Sequence, residues 1–409
     1  MRKDQSVSNI LKELTKINWD FSDYNSAKYP LDLNSIPWYP ATFISPIPRL
    51  LIALLSEPND RVLDPFGGKG TVAIEALLQN RIPIYNDLNP FAEELLLGLI
   101  AAIEYQVNGM DTLENEMESI RGNILTFPRI DDYLSENCIS KDVREWFHSK
   151  TLVELLSIHR LIVGCGDVCS TEYLIRKLAF SAILKSASSQ PGHFTYITDN
   201  CKPKALKEKD AVTLYAEKID QIMLAAKEFL IQYSFTYSMP QLRSLLSKIQ
   251  IKTGNAKSLD WITPESVDLV ITSPPYLCAQ DYIKTMRLMN LFFENEQAFS
   301  NDYKEEIGPR RMRRGNSLSV VSTFYDDMNS VFNNIHRVLK NDALFCLIVG
   351  QGKTRVTANY NIIDDLSNMA QNERRFELLF QHTRKIGNRV IQVGGVDTED
   401  ILIFKKIAT

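Results

Sequence analysis

The stretch that most limits how this chain can fold is Thr272-Ser273-Pro274-Pro275-Tyr276, directly after Val267-Asp268-Leu269-Val270-Ile271. The apolar, β-branched run predicts a short buried parallel strand. Two successive prolines lack backbone N–H groups, so they end the ladder. The chain must then turn out at the carboxyl edge of a sheet, where open α/β folds place their ligands. That turn offers a hydroxyl, prolyl carbonyls that no neighbouring strand needs, and an aromatic ring. Together these suit a flat ring bearing an amino group: acceptors for the NH₂ and a face for stacking.

A second strand-and-turn makes the first specific. Arg61-Val62-Leu63-Asp64 predicts a strand, Pro65-Phe66-Gly67-Gly68-Lys69-Gly70-Thr71 a glycine-rich turn, and Val72 to Asn80 a helix. Glycines let backbone approach a ligand closely. Ile82 to Tyr85 predicts the next strand, ending in Asn86-Asp87-Leu88-Asn89-Pro90. An acid at that strand end is placed for ribose hydroxyls. The glycine turn lacks the lysine spacing of a P-loop. Asp64 at its head would repel phosphate and suits a cationic ammonium or sulfonium, while Lys69 reads as a solvated loop residue.

These residues resemble the S-adenosylmethionine-dependent amino-methyltransferases of nucleic-acid bases. That family carries Asp-Pro-Phe-x-Gly-x-Gly-Thr as its cofactor loop and Ser/Asp/Asn-Pro-Pro-Tyr/Phe as its catalytic loop. The resemblance implies an α/β, Rossmann-like class I methyltransferase mixed sheet with a large helical insertion, and S-adenosylmethionine as cofactor. It implies cofactor contacts from Phe43 (in Pro40-Ala41-Thr42-Phe43), Asp64, Pro65, Phe66, Gly67, Gly70, Thr71, Asp87 and Leu88. Asn255 and Ala256, in a Gly254-Asn255-Ala256 motif with Asn for the family's Asp, join them. Ser273, Pro274, Pro275 and Tyr276 become the catalytic residues.

The organisation expected is an arm over 1–36, a catalytic domain over 37–105 and 246–409, and a helical insertion over 106–245. Helical periodicity marks Val143 to Ile162, Glu172 to Ser186 and Lys207 to Phe235, then Asp281 to Glu294 and Tyr325 to Val338. Strands are expected at Ile249 to Thr253 and Ala343 to Val349, with a final antiparallel pair at Phe376 to Arg384 and Asp400 to Lys405. The order cofactor loop, insertion, catalytic loop matches the alpha class of the family. The insertion precedes Gly254-Asn255-Ala256, however, where that class would place it after. Target recognition within 106–245 is therefore an expectation shared with the segment 277–320.

A net charge of −4 argues against a wholly basic nucleic-acid binder and directs attention to local concentrations. Arg310, Arg311, Arg313 and Arg314, bounded by Gly308 and Gly315, read as a mobile basic loop able to meet guanine edges or phosphates. Lys284 and Arg287 follow the catalytic turn on one expected helix. The loop Ser188 to Tyr196, with Lys202, Lys204, Lys207 and Lys209 beyond it, reads either as a polynucleotide contact or as a solvated turn. No apolar run is long enough for a membrane span, the amino terminus lacks a signal-peptide core, and six scattered cysteines fit a reducing compartment. The expected location is cytoplasmic, with no membrane partner and no metal.

The function implied is site-specific methylation of an exocyclic amine on a flipped-out base of double-stranded DNA, in a restriction-modification or related defence setting that could include a cognate restriction endonuclease. Within the family that this chain resembles, serine in the first catalytic position is commoner in enzymes acting on N4 of cytosine than on N6 of adenine, although a neutral hydroxyl can serve either ring. Ring-carbon methylation would need a cysteine after a proline, and the chain has no Pro-Cys pair. An RNA enzyme acting on a tRNA guanine, or a non-catalytic recognition subunit, are the alternatives.

Overall fold

The computed structural model describes residues 7–24, 28–29, 31–37, 39, 44–113, 122, 130–190, 202–293, 304–386 and 396–408. Seven strands form one sheet: β1 (Arg61–Asp64), β2 (Ile82–Asp87), β3 (Gln250–Thr253), β4 (Val267–Thr272), β5 (Leu339–Gly350), β6 (Phe376–Lys385) and β7 (Thr398–Lys406). Their order is β3-β2-β1-β4-β5-β7-β6. The first five neighbours pair parallel, and β7 runs antiparallel to both β5 and β6. This is a mixed, mostly parallel α/β sheet, as expected from the sequence.

The chain builds outward from β1 through β2 to β3, then returns to lay β4 on the other side of β1. The order reverses at the β1–β4 pair. Loops leaving these two parallel strands diverge there, opening a crevice at their carboxyl ends. Val62 pairs with Leu269 and Leu63 with Val270, so Asp64 and Thr272 emerge side by side.

Period-two alternation sorts each strand between two faces. Val62, Leu269, Ile271, Cys346, Ile348, Ile401 and Ile403 pack with Leu51, Val72 and Trp19 on one face. Leu63, Val270, Phe345, Leu347, Leu402 and Phe404 pack on the other, under helices Ser317–Val338 and Ile362–Gln371.

Insertion helices Ser149–Val163, Thr171–Ala187 and Ala211–Ser234 share one core with helix Pro90–Asn108. A Cβ at Gly98 would lie 2.6 Å from Leu178 Cβ, so helix 90–108 and helix 171–187 approach nearly backbone to backbone. The expected insertion thus packs continuously with the helix that follows β2.

Several expected boundaries move. The helix expected from Asp281 is two short pieces, Tyr282–Thr285 and Arg287–Phe293, and the helix ending at Val338 starts at Ser317. β5 begins at Leu339, ahead of the expected Ala343, and carries a positive φ of 62° at Asp342. Val143 lies in a 3-10 turn ahead of its helix. No helix among the described residues is long and apolar enough to cross a membrane.

Candidate active site

The glycine turn is shaped by its neighbours. A Cβ at Gly67 would sit 2.2 Å from the Tyr85 ring, whose hydroxyl donates to the Gly68 carbonyl at 2.6 Å. Gly70, at φ 88°, caps helix Thr71–Leu78 in the left-handed region that a side chain disfavours. Asn86 braces three strand ends at once: its Nδ2 donates to the Pro65 and Gly254 carbonyls at 3.1 and 2.8 Å. Its own carbonyl accepts from Gly67 N at 2.9 Å.

The two acidic residues expected at the cofactor are held differently. Asp64 is only 4% exposed, and its Oδ1 accepts from Thr272 Oγ1 at 2.7 Å and from Phe66 N at 3.1 Å. Burial pushes its pKa up to about 7, against those two hydrogen bonds. Asp87 accepts from Gly68 N and Asn89 N, both at 2.8 Å, and desolvation raises it to about 6. The Thr272–Asp64 bond ties the last residue of β4 to the head of the glycine turn.

A cavity of about 830 Å³, counting its open mouth, lies over this junction. Of the expected residues, Asp64, Pro65, Phe66, Gly67, Thr71, Asp87, Leu88, Asn255, Ala256, Ser273 and Pro275 line it. Gly70, Pro274 and Tyr276 do not. Gly70 works behind the turn, and Pro274 is buried. Tyr276 is turned toward the sheet, its hydroxyl donating to Glu399 Oε2 at 2.7 Å. Phe43 lies outside the described residues, as do its neighbours Pro40, Ala41 and Thr42.

Thr71 Oγ1 is buried with no partner and faces this cavity, an orphaned polar atom beside a cradle that a Cβ at Gly67 would fill. Such a lining suits a ligand with both polar ends and a flat ring.

Sequence reasoning missed Tyr39, Asn89, Glu305, Glu306 and Ile307 as lining residues. Asn89 was within reach, because it follows Asp87 in the same strand-end motif and caps the next helix through Phe91 N at 3.0 Å. Adjacent glutamates in a loop read as solvated. Glu306 is instead 7% exposed, accepting from Ile283 N at 2.8 Å and pairing with Arg311. Burial raises its carboxyl to about 7. Tyr282 and Ile283 line the cavity as well.

The basic residues part company. Arg310–Arg314 is a 3-10 turn packed beside the catalytic loop, where a mobile loop was expected. Arg310 N bonds the Gln280 carbonyl at 2.8 Å, and Arg313 Nε bonds the Cys278 carbonyl at 2.8 Å. Arg311 faces inward between Glu306 and Asp281, and Arg287 pairs with Asp142 of the insertion at 3.1 Å. These ion pairs occupy two guanidinium groups expected at DNA. Arg314 is exposed, and Lys284 is half-buried. Lys69, expected to be solvated, donates to the Asn34 carbonyl at 2.5 Å. In the loop from Ser188, residues 191–201 lie outside the described residues. Among the described residues, no three His, Cys, Asp or Glu side chains are arranged to hold a metal ion.

Residues 2–98 match the family model described as DNA methylase. A Type II methyltransferase, M.MjaI of Methanocaldococcus jannaschii, is 22% identical over 172 residues, covering 37% of this chain and 54% of that protein. The match thus spans about half the relative's length. Solved structures with some likeness include TrmN from Thermus thermophilus (12% identity, TM-score 0.33, covering 89% of this chain and 49% of that one). Another is the rRNA methyltransferase AviRa of Streptomyces viridochromogenes (10%, TM-score 0.34, covering 95% and 96%). A proposed DNA modification methylase, also of Thermus thermophilus and solved with S-adenosyl-L-methionine, shares 18% identity over 38% of this chain and 54% of its own, at TM-score 0.24. Both sequence matches are to DNA methylases, and each covers only part of this chain.

Proposed function

We propose that this protein transfers a methyl group from S-adenosylmethionine to the exocyclic amine of a base flipped out of double-stranded DNA, with N4 of cytosine favoured over N6 of adenine. The observation that carries this reading is the shared cavity: the glycine turn and Ser273 open onto one space, tied by the Thr272–Asp64 hydrogen bond.

Asp87 would hold the ribose hydroxyls, Asn255 and Ala256 the adenine edge, and Asp64 the cationic amino-acid end. When bound, the cofactor supplies a methyl group already activated on a sulfonium. The chain's task is then mainly alignment, which can lower a barrier substantially. An exocyclic amine is a weak nucleophile because its lone pair is delocalised into the ring. Ser273 Oγ and the Pro274 carbonyl, accepting its two N–H bonds, would return density to nitrogen. Tyr276, turned toward the sheet and outside the cavity lining, would brace the loop that carries these acceptors. A paired base lies out of reach of such a recessed site, so extrusion is part of the reading. Within a restriction-modification setting, a nuclease of the same specificity would be the partner.

The test is purified protein with methyl-labelled donor on duplex DNA and on tRNA, with digestion to name the base. Label in 4-methylcytosine from DNA supports the reading. Label in 6-methyladenine keeps the enzyme and corrects the base, and label only in tRNA overturns the DNA assignment.

A further inference from the structure

Outside the family motifs, one buried charged group touches the catalytic loop. Glu399, the second residue of β7, is 6% exposed and accepts from the Tyr276 hydroxyl at 2.7 Å. Its other oxygen pairs with Arg384 of β6, directly across the ladder. Arg384 is itself 4% exposed, and it donates to the Trp19 carbonyl at 2.8 Å and the Asp20 carbonyl at 3.3 Å. The ion pair with a buried guanidinium so surrounded holds the Glu399 side chain in place. On the opposite side, Glu399 pairs with Gly350 of β5. A Cβ at Gly350 would lie 2.9 Å from Tyr276 Cε2, so the ring rests on bare backbone at the strand end.

We infer that Glu399 is a positioning residue that fixes the Tyr276 ring and, through it, the catalytic loop. A carboxylate can only accept, so it compels the Tyr276 hydroxyl to donate. Gly350 and the Arg384 pair keep the phenol in register, and the loop carrying Ser273 and Pro274 is held with it. This role rests on the methyltransferase reading. A purely structural Glu399 would hold the β6–β7 hairpin and leave the reaction untouched once the protein folds.

The test uses the full chain with methyl-labelled S-adenosylmethionine and duplex DNA in single turnover, comparing wild type, Tyr276→Phe, Glu399→Gln and the double variant. Cofactor binding within about twofold of wild type certifies folding, since the donor cradle is on other strands. The expected result is a loss of about tenfold in the transfer rate for each single variant, and no further loss in the double. Tyr276→Phe keeps the Glu399–Arg384 pair, so it reports even if Glu399→Gln folds poorly. Rates within about twofold of wild type for Tyr276→Phe, or losses that multiply in the double variant, overturn this role while leaving the methyltransferase reading intact. A wild-type protein that transfers no methyl overturns that reading and this role together.

Discussion

Asp64 shows how one buried carboxyl can serve both fold and ligand. Its pKa of about 7 lies above the ordinary 3.8, so the native state holds a proton that the unfolded chain has lost across that window. Stability therefore falls as pH rises from about 4 to about 7. A bound cation favours the ionised form, so binding must release this proton below the folded pKa. The affinity for S-adenosylmethionine should fall as pH drops below about 7, approaching tenfold per unit, and Asp64→Asn should flatten that slope. Calorimetry across pH 5.5 to 8, a window of about two units around that pKa, measures both. A second prediction concerns Gly67. Alanine there meets the Tyr85 ring at 2.2 Å, so the backbone or that buried, hydrogen-bonded ring must shift. Such overpacking costs about 1–3 kcal/mol. Gly67→Ala should lower the melting temperature and weaken donor binding, whereas Gly109→Ala, with open space around it, should show only the smaller cost of a positive φ.

At the level of elements, β1, β2 and β4 were legible because each is a short apolar run closed by glycine or proline. Their pairing was not written locally. The Thr272–Asp64 bond spans 208 positions and follows from the β1–β4 register. Thr272→Val removes the donor while keeping the shape, leaving Asp64 short of one partner. The loss should be about 1–3 kcal/mol in stability, with donor affinity weakened, read by denaturant unfolding and by calorimetry. The charged residues were the hardest to read. Arg287 and Arg311 carry the same residue type as Arg314, but their carboxylate partners come from the insertion and from a neighbouring loop. Sequence spacing gives no sign of Asp142, 145 positions away from Arg287. Glu305 and Glu306 were missed for the same reason. A charged pair in a loop looks solvated until the strand ends around it are placed.

Over the whole molecule, the sheet reverses its order beside β1, and the expected cofactor and catalytic turns meet there. The insertion, read from the sequence as a separate helical block, extends the core around helix Pro90–Asn108. With a net charge of −4, attraction to the proposed DNA substrate would rest on local groups. Exposed Arg314 and inward-facing Arg311 offer a contrast. Arg314→Ala should weaken DNA binding evenly across sequences and reduce the salt slope by about one, as for a phosphate contact. Arg311→Ala should instead destabilise the protein, because it strands buried Glu306. The central claim is that one cavity holds two ends with separate duties, the donor at Asp87 and the amine at Ser273. Measuring donor affinity and single-turnover methyl transfer for Asp87→Ala and Ser273→Ala tests it most directly. The account predicts that Asp87→Ala weakens donor binding while transfer at saturating donor survives, and that Ser273→Ala binds donor normally and transfers at least about a hundredfold more slowly. Equal losses of binding and transfer in both variants would contradict it.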